Sequence, residues 1–122
     1  MSPIVGCPDA DHSDASDYAG RWFLVDESGQ WVAPEALKSV QMRFQHGMMV
    51  LRAPGMLRLD IPMDVIEDDD SVRLDVNVNA QIVDVVDEGE LAAAWFSNLT
   101  GLACRLVKVH PEAQTPVYEM RG

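Results

Sequence analysis

Hydrophobic and polar residues alternate with a period of two in several short stretches of the chain. Val40, Met42 and Phe44 are separated by Gln or Arg residues, and residues 57–61 and 72–78 repeat the pattern. Because neighbouring side chains of a strand point to opposite faces of a sheet, this alternation predicts strands with one buried face. We expect the apolar residues of each stretch to face a common core.

One apolar run predicts a buried strand, and a second run predicts a further strand. Residues 22–25 are aromatic or aliphatic, as a buried strand requires, and residues 82–86 are mostly Val and Ile, which favour strands. Asp26–Gly29 has the composition of a turn, and residues 30–32 then return as a second strand, which predicts a hairpin. Pro34 interrupts the next segment, where we expect one helical turn or an irregular connection. Further turns are predicted at residues 46–47, 53–55 and 79–80.

A single helix is predicted late in the chain, directly before the last strand. Asp87 and Glu90 have the spacing of a capping box, and Gly101 is typical of the residue that ends a helix. The helix is therefore expected at about residues 88–100. The strand after Gly101 is apolar on both faces, which indicates a central position in its sheet. The apolar face of the helix is predicted to contain Leu91, Ala92, Trp95, Phe96 and Leu99.

These elements together predict a mainly β fold. About seven to eight short strands, at intervals of roughly ten residues, with one α-helix before the last strand, are typical of a small distorted β-barrel or a sandwich. The domain is expected to span residues 20–110. Residues 1–19 contain four aspartates and few apolar residues after Val5, which predicts a mobile acidic leader. Residues 111–122 are expected to form a C-terminal tail.

The length and charge of the chain indicate how many domains it has and which kinds of partner it can bind. The chain has 122 residues, which suits one domain, and a formal net charge of -11 from 9 basic and 20 acidic residues. Nucleic-acid and anionic-membrane partners are recognised through Lys and Arg, so this balance disfavours both. No apolar run approaches the roughly 18–20 residues of a membrane helix, and no signal-peptide pattern is present. We therefore expect a cytoplasmic protein.

No set of residues has the spacing of a catalytic or metal site. His12, His46 and His110 lie in the predicted leader, a turn and the tail, without a partner at metal-ligand or triad spacing. The four carboxylates of Glu67–Asp70 lack the ligand spacing of a calcium loop and are expected in a solvated loop. The isolated chain is therefore expected not to be catalytic.

The two cysteines, Cys7 and Cys104, form no metal-binding pair. Two reduced thiols are expected in the cytoplasm, and a disulfide between them is the alternative in an oxidising compartment. Cys7 is predicted to be exposed in the leader, and Cys104 to be a small core residue. Trp22, Trp31 and Trp95 are expected in the core.

The helix and the last strand carry a family resemblance. Residues 92–111 read AAAWFSNLTGLACRLVKVHP, which resembles the end of the MOSC N-terminal β-barrel domain, where an A-x-W-[LIF]-S helix leads through L-G into a strand reading R-L-V. Residues 21–26 with Gly29 resemble the D-R-x-W-x-[LV]-V-[DN]-x-x-G hairpin of that family, and Asp87 with Gly89 matches its D-x-G. The likeness covers about residues 20–110. The matching positions near the end are Ala93, Trp95, Phe96, Ser97, Leu99, Gly101, Arg105, Leu106 and Val107.

The resemblance also implies a cofactor. In full-length relatives, such as the amidoxime-reducing enzymes, this barrel precedes a catalytic MOSC domain that binds a molybdenum cofactor. A pterin phosphate requires positive charge, and the resemblance implies Arg21 as the cofactor-binding residue of this chain. The alternative is a surface ion pair, which is the more frequent role of an arginine that opens a strand beside acidic residues. Val5 and Gly6 stand where the family has a Lys-Ser pair, and Gly20 replaces its aspartate. Glu35 lies where the family has an arginine, so the resemblance does not carry the cofactor site over intact.

Two functions follow as hypotheses. The chain is expected to be an accessory barrel of the MOSC N-terminal type that serves a molybdenum-cofactor or sulfur-transfer MOSC domain or protein. The alternative is an independent acidic module that binds a protein or a small ligand and has lost the link to the cofactor.

Overall fold

The computed structural model describes residues 2–8, 18–62, 73–110, 113–116 and 118. These residues form eight strands, one short 3₁₀ helix and one α-helix, which confirms the mainly β fold with the helix before the last strand. The elements are β1 (Trp22–Asp26), β2 (Trp31–Val32), the 3₁₀ helix (Glu35–Ser39), β3 (Gln41–Gln45), β4 (Met48–Arg52), β5 (Leu59–Pro62), β6 (Arg73–Val78), β7 (Gln81–Asp87), α1 (Glu90–Thr100) and β8 (Cys104–Val109).

The strands form two antiparallel sheets. The larger has the order β2-β1-β8-β7-β6, and the smaller has the order β3-β4-β5. Strand β8 lies at the centre of the larger sheet, where Leu106 pairs with Leu24 of β1 and Lys108 pairs with Val86 of β7. The prediction that the last strand is central is confirmed, and its apolar residues are buried on both faces.

The larger sheet curls into a half-barrel. A parallel bridge between Gln30 and Asn77 joins its two ends, and the Asn77 N–H donates to the Gly29 carbonyl at 2.8 Å. Aliphatic residues and one phenylalanine fill the concave interior, so the half-barrel is packed with side chains. This interior cluster consists of Val5, Phe23, Val25, Val76, Val78, Val83, Val85, Val107 and Val109.

A second core lies on the other face of the larger sheet. There α1 and the smaller sheet cover Trp22, Leu24 and Leu106, all of which are fully buried. The smaller sheet contributes its inner residues Met49, Leu51, Leu59 and Ile61, and α1 contributes Ala92, Trp95 and Phe96. The alternation predicted for β5 is confirmed at Leu59 and Ile61, which are buried, whereas Met42 and Phe44 of β3 are only partly buried.

The helix begins later than its sequence predicts. The N-cap is Gly89, with no capping side chain, and the left-handed Gly101 (φ 71°) ends the helix as expected. The predicted capping box is wrong because Asp87 belongs to β7, where its carboxylate is already used: it accepts from the Gly89 N–H at 2.8 Å and pairs with Arg105.

Two leucines that the pattern assigns to buried faces are exposed. Leu91 is predicted on the apolar face of the helix but is 77% exposed, and Ala93 is buried instead. Leu57 is predicted to lie in a strand, but it is 86% exposed because β5 begins only at Leu59.

The prediction of a mobile leader is wrong for residues 2–8. Ile4, Val5 and Cys7 are buried, and Ile4 forms a parallel bridge with Trp22. Because this segment adds apolar side chains to both cores, it is a part of the domain. The aspartates of residues 9–17 and the carboxylate run Glu67–Asp70 lie outside the described residues.

Candidate functional site

Arg21, the candidate cofactor-binding residue, holds the C-terminal segment of the chain. Its guanidinium donates to the carbonyl oxygens of Val109 (3.2 Å), His110 (2.9 Å) and Ala113 (3.2 Å) and to the Thr115 hydroxyl (3.0 Å). Partial burial lowers the pKa of Arg21, but a guanidinium stays charged at physiological pH. The two terminal nitrogens of this side chain are therefore engaged within the chain itself.

Tyr118 also holds the C-terminal segment, beyond the residues 109–115 that Arg21 contacts. Its hydroxyl donates to the Gly20 carbonyl at 2.5 Å, and its ring meets the edges of Phe23 and Trp31 at centroid distances of 5.9 and 5.4 Å. Burial raises the pKa of the Tyr118 phenol. The predicted tail is thus packed against the interior cluster at this residue.

The structure brings together the three segments that the resemblance connects with the cofactor. The Trp22 N–H donates to the Pro3 carbonyl and the Val5 N–H to the Trp22 carbonyl, both at 3.0 Å, so residues 3–5 run beside β1 next to Arg21. A Cβ placed on Gly6 would lie 3.3 Å from Ala33 Cβ, so the same segment also touches the connection after β2.

We use the name corner for the place where residues 3–6, Arg21 and the connection after β2 meet. Its residues do not fit a pterin phosphate. Val5 is a buried aliphatic residue that is 1% exposed. Gly6 has φ 101° and leaves no room for a serine, because its Cβ would lie 2.9 Å from Leu37 Cδ1. Glu35 is negative and pairs with Lys38 at 3.2 Å. The terminal nitrogens of Arg21 donate to residues 109–115 and Lys38 is paired with Glu35, so these two cations are engaged within the chain and do not offer free donors to a phosphate.

Both cysteines are free thiols, and both are buried. The prediction that Cys7 is exposed is wrong: Cys7 is 8% exposed because residues 2–8 pack into the core, and burial raises the pKa of its thiol to about 12. The prediction that Cys104 is a core residue is confirmed. Its sulfur lies 3.7 Å from the Thr100 hydroxyl and 4.0 Å from the Ser97 hydroxyl.

The remaining candidate residues form no site. His46 is exposed in the β3–β4 turn, His110 follows β8, and His12 lies outside the described residues. Within the described ranges no group of three or more His, Cys, Asp or Glu residues could hold a metal ion. Trp22 and Trp95 are core residues as predicted, whereas Trp31 is half-buried. None of the helices in the described part of the chain is long and apolar enough to cross a membrane.

An open groove of about 430 Å³ lies between the β1–β2 turn and α1. We call it the α1 groove. Its volume is in the range of small-molecule and peptide pockets. Val25, Leu74, Ala93, Ala94 and Ala103 contribute its apolar surface. The polar residues around it are Asp26, Glu27, Ser97, Glu90 and Arg105.

Local hydrogen bonds fix the walls of the α1 groove. The Asp26 carboxylate accepts from the Ser28 hydroxyl (2.7 Å), the Ser28 N–H (2.9 Å) and the Gln30 N–H (3.1 Å), which shapes the turn. These bonds, above all the one from the Ser28 hydroxyl, hold the pKa of Asp26 below its usual range. On the other wall, the Ser97 hydroxyl donates to the Cys104 carbonyl at 3.1 Å and accepts from the Cys104 N–H at 3.2 Å.

Arg105 links the groove to the end of β7. Its Nε donates to Asp87 at 2.5 Å, and its terminal nitrogen donates to Glu90 at 2.8 Å. These hydrogen bonds raise the pKa of Arg105, the one from Asp87 most strongly. Several residues of the family resemblance therefore have structural roles here: Asp87 and Arg105 join β7 to β8, and Ser97 joins α1 to β8.

The sequence patterns do not predict the α1 groove. Its walls come from parts of the chain that are distant in sequence, and only tertiary packing places them together. One signal is available: among the eleven residues of α1 only Glu90 is charged, which is unusual for a helix with a face in water.

Comparisons with known proteins place the chain beside a solved structure. No family model matches the chain, and no curated protein matches it. The chain is similar to a Bordetella bronchiseptica protein whose solution structure was determined as a structural genomics target, with 51% sequence identity over 96% of this chain and 92% of that chain. The TM-score is 0.81, so the two proteins share the fold over nearly their whole length.

Proposed function

We propose that this chain, which belongs to the same family as the Bordetella bronchiseptica protein, is an accessory module that acts by binding a partner protein and is not catalytic by itself. The MOSC-like residues of the helix and last strand suggest the partner: a MOSC domain or another molybdenum-cofactor or sulfur-transfer protein. The partner, in this proposal, supplies the cofactor and the chemistry.

The observation that carries this proposal is the contrast between two regions of the fold. The residues of the resemblance around α1 and β8 keep the framework intact and border the open α1 groove. At the corner formed by residues 3–6, Arg21 and Glu35, the lysine and serine of the family are replaced by Val5 and Gly6, and the terminal nitrogens of Arg21 are engaged by the C-terminal segment. A barrel with an intact framework and no free phosphate donors at this corner suits a binding role.

The alternative is an independent acidic module without any link to the cofactor. The replacement of the expected basic residues by Val5, Gly6 and Glu35 favours it. The interior of the half-barrel is filled by the interior cluster, so a ligand of this module would bind outside the barrel, where the α1 groove is available. The two proposals differ in the identity of the partner.

Binding to a MOSC domain separates the two. The full chain and a catalytic MOSC domain from the same genome, produced as separate polypeptides, are expected to form a complex in calorimetric titration. Pterin and molybdenum analysis of the chain purified alone is expected to give neither. Failure to bind the MOSC domain would contradict the accessory role, and pterin retained by the isolated chain would contradict the argument from the missing cations.

A further inference from the structure

The outward face of α1 carries little charge for a helix face in contact with water. Its exposed positions are Glu90, Leu91, Ala94 and Asn98, and Leu91 is 77% exposed. Leu102, which follows the helix, is 40% exposed. In a chain with 24% charged residues and a net charge of -11, a helix face with one carboxylate is an exception, and exposed apolar patches mark binding surfaces.

This helix face continues directly into the α1 groove. Glu90 and Ala94 belong to both, and Ala103 extends the groove from the end of the helix toward β8. The half-buried Leu74 adds apolar surface to the groove, and Val25 also lines it but is only 2% exposed. The face and the groove together form one surface with a concave part, which offers a place for an apolar side chain of a partner.

The charge around this surface is negative. Asp26, Glu27 and Glu90 line the groove, and Asp87 lies behind Arg105. Arg105 is the cation of this set, and its guanidinium is bonded to both Asp87 and Glu90. The depressed pKa of Asp26 keeps that carboxylate ionised at neutral pH. Four carboxylates against one guanidinium leave an excess of three negative charges.

We propose that the α1 groove and the adjoining helix face bind a segment of a partner protein that presents a Lys or Arg side chain next to apolar side chains. The apolar side chains pack on Leu91, Ala94 and the groove wall, and the basic group reaches the carboxylates of Glu27 and Asp26. Charge complementarity argues for this partner, because an acidic segment would meet like charges that disfavour its binding. The inference rests on the proposed function only in taking the chain to be a protein-binding module.

The first experiment uses two synthetic peptides with the full chain. One contains Leu, Ala and Lys, and its matched control has Glu in place of each Lys. Titration followed by amide chemical shifts is expected to show binding of the Lys peptide, with shifts concentrated at residues 25–29, 90–98 and 102–105. Raising the salt from about 0.05 to about 0.5 M is expected to weaken binding severalfold because the surface charges become screened.

Matched variants locate the surface. Ala94→Arg adds a positive charge and a long side chain at an exposed helix position that tolerates arginine, and it is expected to weaken binding of the Lys peptide at least about tenfold. Gln45→Arg makes the same charge change at an exposed position of the smaller sheet and is expected to leave the affinity unchanged. Glu27→Gln is expected to weaken binding a few-fold and to reduce its salt dependence.

Three results would overturn the inference: no binding of the Lys peptide, equal binding of the Glu peptide, or chemical shifts centred away from the α1 groove. The MOSC domain provides an independent comparison. If that domain binds the chain and Ala94→Arg has no effect, the docking surface is wrong while the accessory role stands. If the peptides behave as expected and no MOSC domain binds, the accessory role fails while the docking surface stands.

Discussion

The four hydrogen bonds of Arg21 make it the main anchor of the C-terminal segment. We expect Arg21→Ala to lower the free energy of unfolding by about 1–3 kcal/mol, because charge-assisted hydrogen bonds to three carbonyl oxygens and a hydroxyl are lost. Urea denaturation measures the change, and amide exchange at Ala113 and Thr115 should accelerate. Arg21→Lys keeps the charge but not the planar fork and should fall in between. An unchanged exchange rate in Arg21→Ala would show that the segment is held by Tyr118 alone.

Trp95 ties α1 to the segment before β5. Its side chain is 7% exposed, and its Nε1–H donates to the Leu57 carbonyl at 2.5 Å. Trp95→Ala should cost about 3–5 kcal/mol of unfolding free energy, because a large buried ring leaves a cavity. Trp95→Phe retains an aromatic ring but loses the hydrogen bond, so its cost should be smaller, about 1–2 kcal/mol. A denaturation midpoint that barely moves in Trp95→Ala would refute the burial of the ring.

Because its thiol is buried, Cys7 should make the free energy of unfolding fall as the pH becomes alkaline. Burial raises the pKa of its thiol from 9.0 to about 12, so the unfolded chain releases this proton at lower pH than the folded chain does. The resulting stability is fully present below pH 9 and is lost as the pH rises toward 12. Unfolding free energies measured across this range should fall less steeply in Cys7→Ala than in the parent.

Tyr118 contributes to the same alkaline loss, because burial raises the pKa of its phenol as well. Tyr118→Phe removes that titration and separates the two contributions, although it also removes the hydrogen bond to Gly20. Equal pH slopes for the parent and Cys7→Ala would contradict the burial of the thiol.

At the scale of elements, the helix end offers the sharpest test. Gly101 has φ 71°, a left-handed conformation in which a side chain is strained. Gly101→Ala should destabilise the protein by about 1–2 kcal/mol, whereas Gly101→Asn should cost less, since asparagine tolerates this conformation. Thermal or urea denaturation of the two variants is the measurement. Equal stability of Gly101→Ala and the parent would mean that the helix does not end at this residue.

Most strands are predictable because their pattern is local. The alternation around Phe44 follows from one buried face, and the residues after Asp26 form a turn whatever surrounds them. The apolar residues on both faces of β8 likewise indicate a strand between two cores. These features depend on the nearest neighbours in sequence, so the sequence alone is sufficient.

The failures concern contacts between distant parts of the chain. The sequence of residues 2–8 has no pattern that predicts their burial. They are held in place by backbone hydrogen bonds to β1. The sequence pattern assigns a helix-capping role to Asp87. It does not reveal that Asp87 pairs with Arg105, because Arg105 lies on another strand. Leu91 fits an apolar helix stripe, but no described element covers it in the fold. The α1 groove escapes prediction for the same reason, since its walls meet only after folding.

At the scale of the whole molecule, the side chains inside the fold form two packed cores, and the α1 groove lies on the outer surface. The two packed cores share the larger sheet, and the interior cluster of buried side chains occupies the concave side of the half-barrel. If the chain binds a partner as we propose, recognition takes place on the outer surface, where the acidic residues of the α1 groove lie beside Leu91 and Ala94. We then expect fast association with a basic partner that weakens as salt is raised.

The pairing of β1 with β8 has a consequence for how the protein is made. During translation β1 is synthesised before the other strands, but it pairs with β8, the last strand of the sheet. The hairpin of β1 and β2 can therefore pair with β8 only after almost the entire domain has been synthesised. Until β8 has left the ribosome, β1 lacks the strand that pairs with it, and we expect its apolar residues Trp22, Phe23 and Leu24 to be prone to aggregation. We therefore expect the larger sheet to be completed only after β8 has been synthesised, whereas the consecutive strands of the smaller sheet can pair earlier.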